Sequence, residues 1–122
     1  MKIYSLLPLA FILIAANKCS DKNKNAYKAR LEIKGMCMNY TIKLLEGKLD
    51  TSKIVAEWKN EATGKIHTNV FALGSLCSFP STLNEGDEFY FTIDSSYVSN
   101  CAVCMGYYPK PLKSIAIKVV NK

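Results

Sequence analysis

Residues 27–35, YKARLEIKG, place Tyr27, Ala29, Leu31 and Ile33 on one side of an extended chain and Lys28, Arg30, Glu32 and Lys34 on the other. Successive side chains of a strand point to opposite faces, so an apolar residue at every second position marks a β-strand with one face in a core and one in water. Gly35 ends the run. The same pattern returns along the chain. In CMNYTIKLLEG (37–47), Met38, Tyr40, Ile42 and Leu44 share a face. KIVAEWKN (53–60) and KIHTNVFAL (65–73) are two more β-rich runs, joined by EATG, the glycine-containing loop of a hairpin. In STLNEGDEFYFTID (81–94), Phe89, Phe91 and Ile93 alternate with Glu88, Tyr90 and Thr92. In LKSIAIKVVNK (112–122), Ile115, Ile117 and Val119 alternate with Ser114, Ala116 and Lys118. No amphipathic helix is visible between them, and LLEGKLDTSK (44–53) has room for a single helical turn.

About six short strands with turn signals between them predict an all-β domain. The period-2 faces need one enclosed core, and closing the sheet supplies it while hiding its edges. The expectation is a small, OB-like antiparallel barrel. The alternative is a β-sandwich, in which a tryptophan lies between two bridged cysteines, an order that Cys37, Trp58 and Cys77 reproduce.

Ahead of the strands, Lys2 precedes an apolar run from Ile3 to Ala16. That run is shorter than the about 20 residues of a membrane-spanning helix and has the form of a secretory signal. Residues 1–18 are therefore read as a signal peptide, 19–26 as a polar tether and 27–122 as a single β-barrel domain. Cys19, followed by SDKNKN, is placed like the lipid-bearing cysteine of a bacterial lipoprotein, although Lys18 stands where such signals carry a small residue. The competing cut follows Ala16. Cysteine arithmetic favours lipidation, because five cysteines minus Cys19 leave an even set.

The chain has 122 residues with 16 Lys and Arg against 10 Asp and Glu. Lys2 and Lys18 belong to the leader, so 14 basic residues remain, a net charge of +4. They are scattered rather than gathered on one face among aromatics, which argues against nucleic acid as a partner. Export argues against it too.

The order of features resembles the small exported β-barrel proteins and lipoprotein domains of Bacteroidota: a cysteine at the start of the second strand, a LNEGDEFYFTI-type strand after a proline-containing loop, then CMG before a last strand of alternating isoleucines. The resemblance covers roughly residues 29–120 and implies a fold and a compartment, with no activity. By it, Cys37 corresponds to the cysteine leading the second strand and Cys104 to the one before the last strand, while Cys77 and Cys101 form an additional pair. The disulfides it implies are Cys37 with Cys104 and Cys77 with Cys101.

Cys101 and Cys104 form a C-x-x-C, which has three physical uses. A thiol–disulfide centre needs it at a helix N-terminus after a strand, where the dipole lowers a thiol pKa; the surrounding SNCAVCMGYYPKP is a loop punctuated by Gly106, Pro109 and Pro111. A zinc site needs four ligands, which Cys37, Cys77, Cys101 and Cys104 could supply, but an oxidising compartment favours disulfides. Two structural bridges are the third use. Bonds reaching back to Cys37 and Cys77 close longer loops than a Cys101–Cys104 bond, and so restrict more of the unfolded chain.

His67 lies between Ile66 and Thr68 in an alternating run and reads as a surface strand residue, with no serine motif to serve. Tyr97, Tyr107 and Tyr108 fall in loops around the C-x-x-C, with Lys110 close by. They are the candidate binding surface, or else they cap the barrel end over the disulfides. The functional expectation is a non-enzymatic, envelope-associated binding or accessory domain without cofactor or metal, in the periplasm or at the outer membrane. Its partner would be an envelope protein or a small ligand, and a membrane would enter only through the lipid on Cys19. The rival is an envelope thiol–disulfide oxidoreductase using Cys101 and Cys104.

Overall fold

The computed structural model describes residues 26–121. The expected signal peptide and Cys19, with nearly all of the tether, lie outside the described residues. The first strand, β1, spans Tyr27–Lys34, and the face expected to be apolar is the buried one, with Ala29, Leu31 and Ile33 inside. β2 (Tyr40–Glu46) runs antiparallel to it, with Leu31 opposite Ile42. The second strand was expected to begin at Cys37. Instead Met36–Met38 form a short 3-10 turn, with Cys37 and Met38 in the left-handed region at φ 56° and 59°. Side chains resist that conformation, and the turn is held from outside. The Asn39 amide and its Nδ2 both donate to the Met36 carbonyl, Nδ2 also donates to the Gly106 carbonyl, and Cys37 is tied to Cys104.

β3 (Val55–Lys59) and β4 (Ile66–Leu73) form the expected hairpin. Asn60 closes it: its backbone N–H donates to Lys65 and its side-chain oxygen accepts from the Ala62 amide. Asn69, at φ 55°, marks where β4 changes neighbours. Residues 66–70 pair with β3, and 70–72 pair with β2. β5 (Glu88–Ile93) lies antiparallel to β1 on its other side.

The last segment was expected as one strand and is two. β6 (Ser114–Ile115) runs parallel to β4, whereas β7 (Ile117–Val120) runs antiparallel to β5. The switch falls at Ala116, where successive carbonyls serve opposite sides: Ile115 accepts from Gly74 and Ala116 from Asp94. Beyond it the buried Ser75 hydroxyl does the work of a ladder, accepting from the Ile117 N–H and donating to the Ile117 carbonyl, each at 2.8 Å.

All strands belong to one seven-stranded sheet in the order β3-β4-β2-β1-β5-β7, with β6 attached to β4. The last segment thus spans from β5 back to β4, so that the sheet curls around a single core. No unbroken ladder closes the barrel, and β3 stands outside the curl, paired only with β4. Cys37 and Cys77 are not bridged to each other, so no disulfide spans Trp58 as the order Cys37, Trp58, Cys77 allowed.

Phe71, Phe91, Leu31, Ile42 and Ile117 are the largest apolar side chains fully enclosed in that core. Phe79, from the connection between β4 and β5, plugs it by packing edge-on against Tyr40 and Phe89. β2 is buried on both faces from Tyr40 to Ile42, Thr41 included. The cover on its polar side is the β3–β4 hairpin. His67 reaches Glu32, Thr68 accepts from Lys43, and Asn60 donates to the Tyr108 hydroxyl.

Candidate functional site

The C-x-x-C is two separate anchor points. Cys104 is bonded to Cys37 and Cys101 to Cys77, with sequence separations of 67 and 24, the pairing that the resemblance implied. All four sulfurs are consumed, so neither a Cys101–Cys104 redox couple nor an all-cysteine metal site is present in this fold. Gly106 is required beside the first bridge, since a Cβ there would stand 2.7 Å from the Cys37 sulfur.

The three tyrosines separate in role. The Tyr97 hydroxyl accepts a hydrogen bond from the Cys77 amide at 2.9 Å, bracing the second disulfide. Tyr108 packs its ring on Gly35 and accepts from Asn60. Tyr107, 73% exposed, points to solvent, and Lys110 is exposed as well. Met36, Val103 and Met105 are also exposed near the Cys37–Cys104 bridge.

A different region forms a concave site. Where the connection from β2 to β3 meets β3 and the segment before β6, a half-open groove of about 750 Å³ is lined mainly by Leu44, Leu49, Ile54, Val55, Trp58 and Leu112. Its volume falls in the range of about 300–1,000 Å³ typical of small-molecule sites, as does its apolar lining. Lys113 fastens one wall: its Nζ donates to the carbonyls of Thr51 at 2.8 Å and Ile54 at 3.4 Å. Leu112 beside it is 97% exposed. Sequence reasoning read none of these residues as a site. The one legible signal was Leu112 itself, which follows Pro111 at the head of the LKSIAIKVVNK run but falls off its apolar face.

On the hairpin side, Glu32 is shared by two partners. One carboxylate oxygen accepts from Arg30 at 2.8 Å, and the other lies 2.8 Å from His67 Nδ1. The Glu32 and His67 side chains are only 14% and 11% exposed. His67 is therefore a half-buried hairpin fastener rather than a free surface residue, its ring also tilted against Trp58. Its Nε2 is enclosed without a hydrogen-bond partner among the described residues. Burial pushes the Glu32 carboxyl up, but the hydrogen bonds and charges of His67 and Arg30 outweigh it and hold it below its ordinary value of 4.5. A carboxylate with a lowered folded-state pKa contributes stability above its unfolded value, and that contribution is lost as pH falls through the folded one. Glu32→Gln is accordingly expected to destabilise the protein at neutral pH and to make its melting temperature less dependent on pH below about 4.5. An unchanged acid slope in that variant would contradict the assignment.

No known protein family, curated protein or solved structure matches this chain.

Proposed function

We propose that this chain is an exported, disulfide-braced binding domain of the kind found in the Bacteroidota envelope, which it resembles, and that the groove beside Trp58 holds its ligand. Two bridges that tie distant parts of the chain fit an oxidising compartment. Anchoring through Cys19 would place the domain at the periplasmic or outer-membrane surface. The role is binding rather than catalysis: Cys101 and Cys104 are each committed elsewhere, and the one histidine has its second nitrogen sealed off. The observation that carries the reading is the groove, an apolar concavity with a nearly fully exposed leucine on its wall. Water is a poor occupant for such a surface.

Trp58 is the only tryptophan in the chain, so its fluorescence reports on the groove and on the His67 ring beside it. A neutral apolar probe such as 1-naphthol is expected to shift it saturably in the folded protein, and Leu112→Ser is expected to weaken that effect severalfold without unfolding, since Leu112 is exposed. A probe response that is linear, or indifferent to Leu112, would refute the assignment. A thiol count made in parallel addresses the oxidoreductase alternative: two bonds resistant to mild reductant are expected, and a readily reduced Cys101–Cys104 pair would overturn the binding reading.

A further inference from the structure

We infer that the occupant of the groove is a single-chain anionic amphiphile, a long-chain fatty acid, lying with its tail along Trp58 and its carboxylate at Lys48 and Lys113; this rests on the groove being the binding site. The body of the site calls for an alkyl chain. Leu44, Leu49, Ile54, Val55 and Leu112 offer neither donors nor acceptors from their side chains, and Trp58 adds an aromatic wall. A polar ligand would lose its water there and gain little in return.

The charged end is specified by two lysines. Lys48 and Leu49 are adjacent in the connection from β2 to β3, and Lys113 and Leu112 are adjacent before β6, so each lysine stands beside a leucine of the wall. Lys113 fastens those two segments together through its bonds to Thr51 and Ile54. An ammonium group has three N–H donors. Two of them are used, leaving Lys113 one donor for a ligand, held in place by the other two. Lys48 makes no hydrogen bond or ion pair among the described residues, is exposed and also lines the groove. Asp50 feels the charges of Lys53 and Lys113, and its carboxylate accepts from the Ser52 amide at 2.9 Å. Glu57 also lines the groove, but on β3 next to Trp58, apart in sequence from the lysine-bearing segments. A charge-assisted contact between ammonium and carboxylate is stronger than a neutral one, and here it joins an apolar surface that supplies most of the affinity.

The test uses the purified protein and Trp58 fluorescence, with dodecanoate, dodecyltrimethylammonium, dodecanol and phosphatidylglycerol vesicles, each amphiphile kept below its micelle concentration. Dodecanoate is expected to give a saturable one-to-one blue shift at least tenfold tighter than dodecyltrimethylammonium. Lys48→Glu, which removes no bond within the protein, is expected to weaken dodecanoate about tenfold and leave dodecanol unchanged. Lys113→Gln is expected to act in the same direction, with its melting temperature measured alongside. Equal binding of all three amphiphiles would overturn the anion inference while leaving the groove as a binding site. A shift with vesicles and none with free dodecanoate would overturn it in favour of membrane docking. If neither the amphiphiles nor a neutral apolar probe act at Trp58, the groove reading fails with it.

Discussion

Replacing Cys37 and Cys104 together by alanine is expected to lower the melting temperature by about 15 °C or more, the largest loss from any pair of positions outside the core. The bridge spans a sequence separation of 67, against 24 for Cys77–Cys101. In the chain-entropy account the longer loop contributes about 4 kcal/mol, and a domain of this size shifts by about 4–8 °C per kcal/mol. The bond also secures the left-handed residues Cys37 and Met38. Because alanine resists that backbone conformation and glycine does not, a Cys37→Gly version of the pair separates the loss of the bond from the cost of the turn. Both variants should melt well below the parent, with the glycine version several degrees above the alanine version by what the left-handed turn costs a side chain. A parent-like melting temperature in either would show that the bridge adds little.

What the sequence made legible was local. The alternation of residues 27–34 required nothing beyond one strand facing one core, and β1 matches it residue by residue. The EATG hairpin was legible because a turn carries its own chemistry, and Gly64 sits there at a φ of +79°. The split at Ala116 was not, because Ile115 and Ile117 keep the same inward face in both halves and only their hydrogen-bond partners change. Nor was the turn at Met36–Met38 visible. It contains no glycine, and its left-handed residues are imposed by Asn39 and Cys104 from elsewhere in the chain.

The sites divide along the same line. Tyr97 and Tyr108 lie in loops, and their hydroxyls are engaged with Cys77 and Asn60. His67 looked like a surface residue because strand alternation carries no information about a hairpin folded back over a neighbouring strand. The groove was invisible for a related reason: its walls come from β2, the following connection, β3 and the segment before β6, which meet only once the chain is folded.

Phe91→Ala is the second change with a large expected effect, costing about 3–5 kcal/mol as a large-to-small substitution in a closed core. Phe91 is fully buried and packs against Tyr27, Phe71 and Phe89, with ring centroids 5.2, 5.8 and 6.3 Å away. It therefore links β5 to β1 and β4 across the interior of the curled sheet. The cavity cannot be refilled cheaply, because its neighbours are rings held by their own strands. Phe91→Leu keeps more of the volume and is expected to lose clearly less. Urea denaturation checks both: the midpoints should fall in the order parent, leucine, alanine with a similar slope. Near-parent stability for alanine would mean that the core does not form around this residue.

The disulfide connectivity tests the account most directly, because the curled sheet, the two anchor points and the binding reading all depend on it. Residues 66–109 contain no lysine or arginine, so a tryptic digest leaves Cys77, Cys101 and Cys104 on one peptide. Non-reducing mass spectrometry must therefore follow cleavage at an acidic residue between Cys77 and Cys101 and at Ala102 or Val103. Two bridged peptides should be recovered, one joining Cys37 to Cys104 and one joining Cys77 to Cys101. Recovery of Cys101 joined to Cys104, with Cys37 joined to Cys77, would contradict the fold described here and restore the oxidoreductase reading.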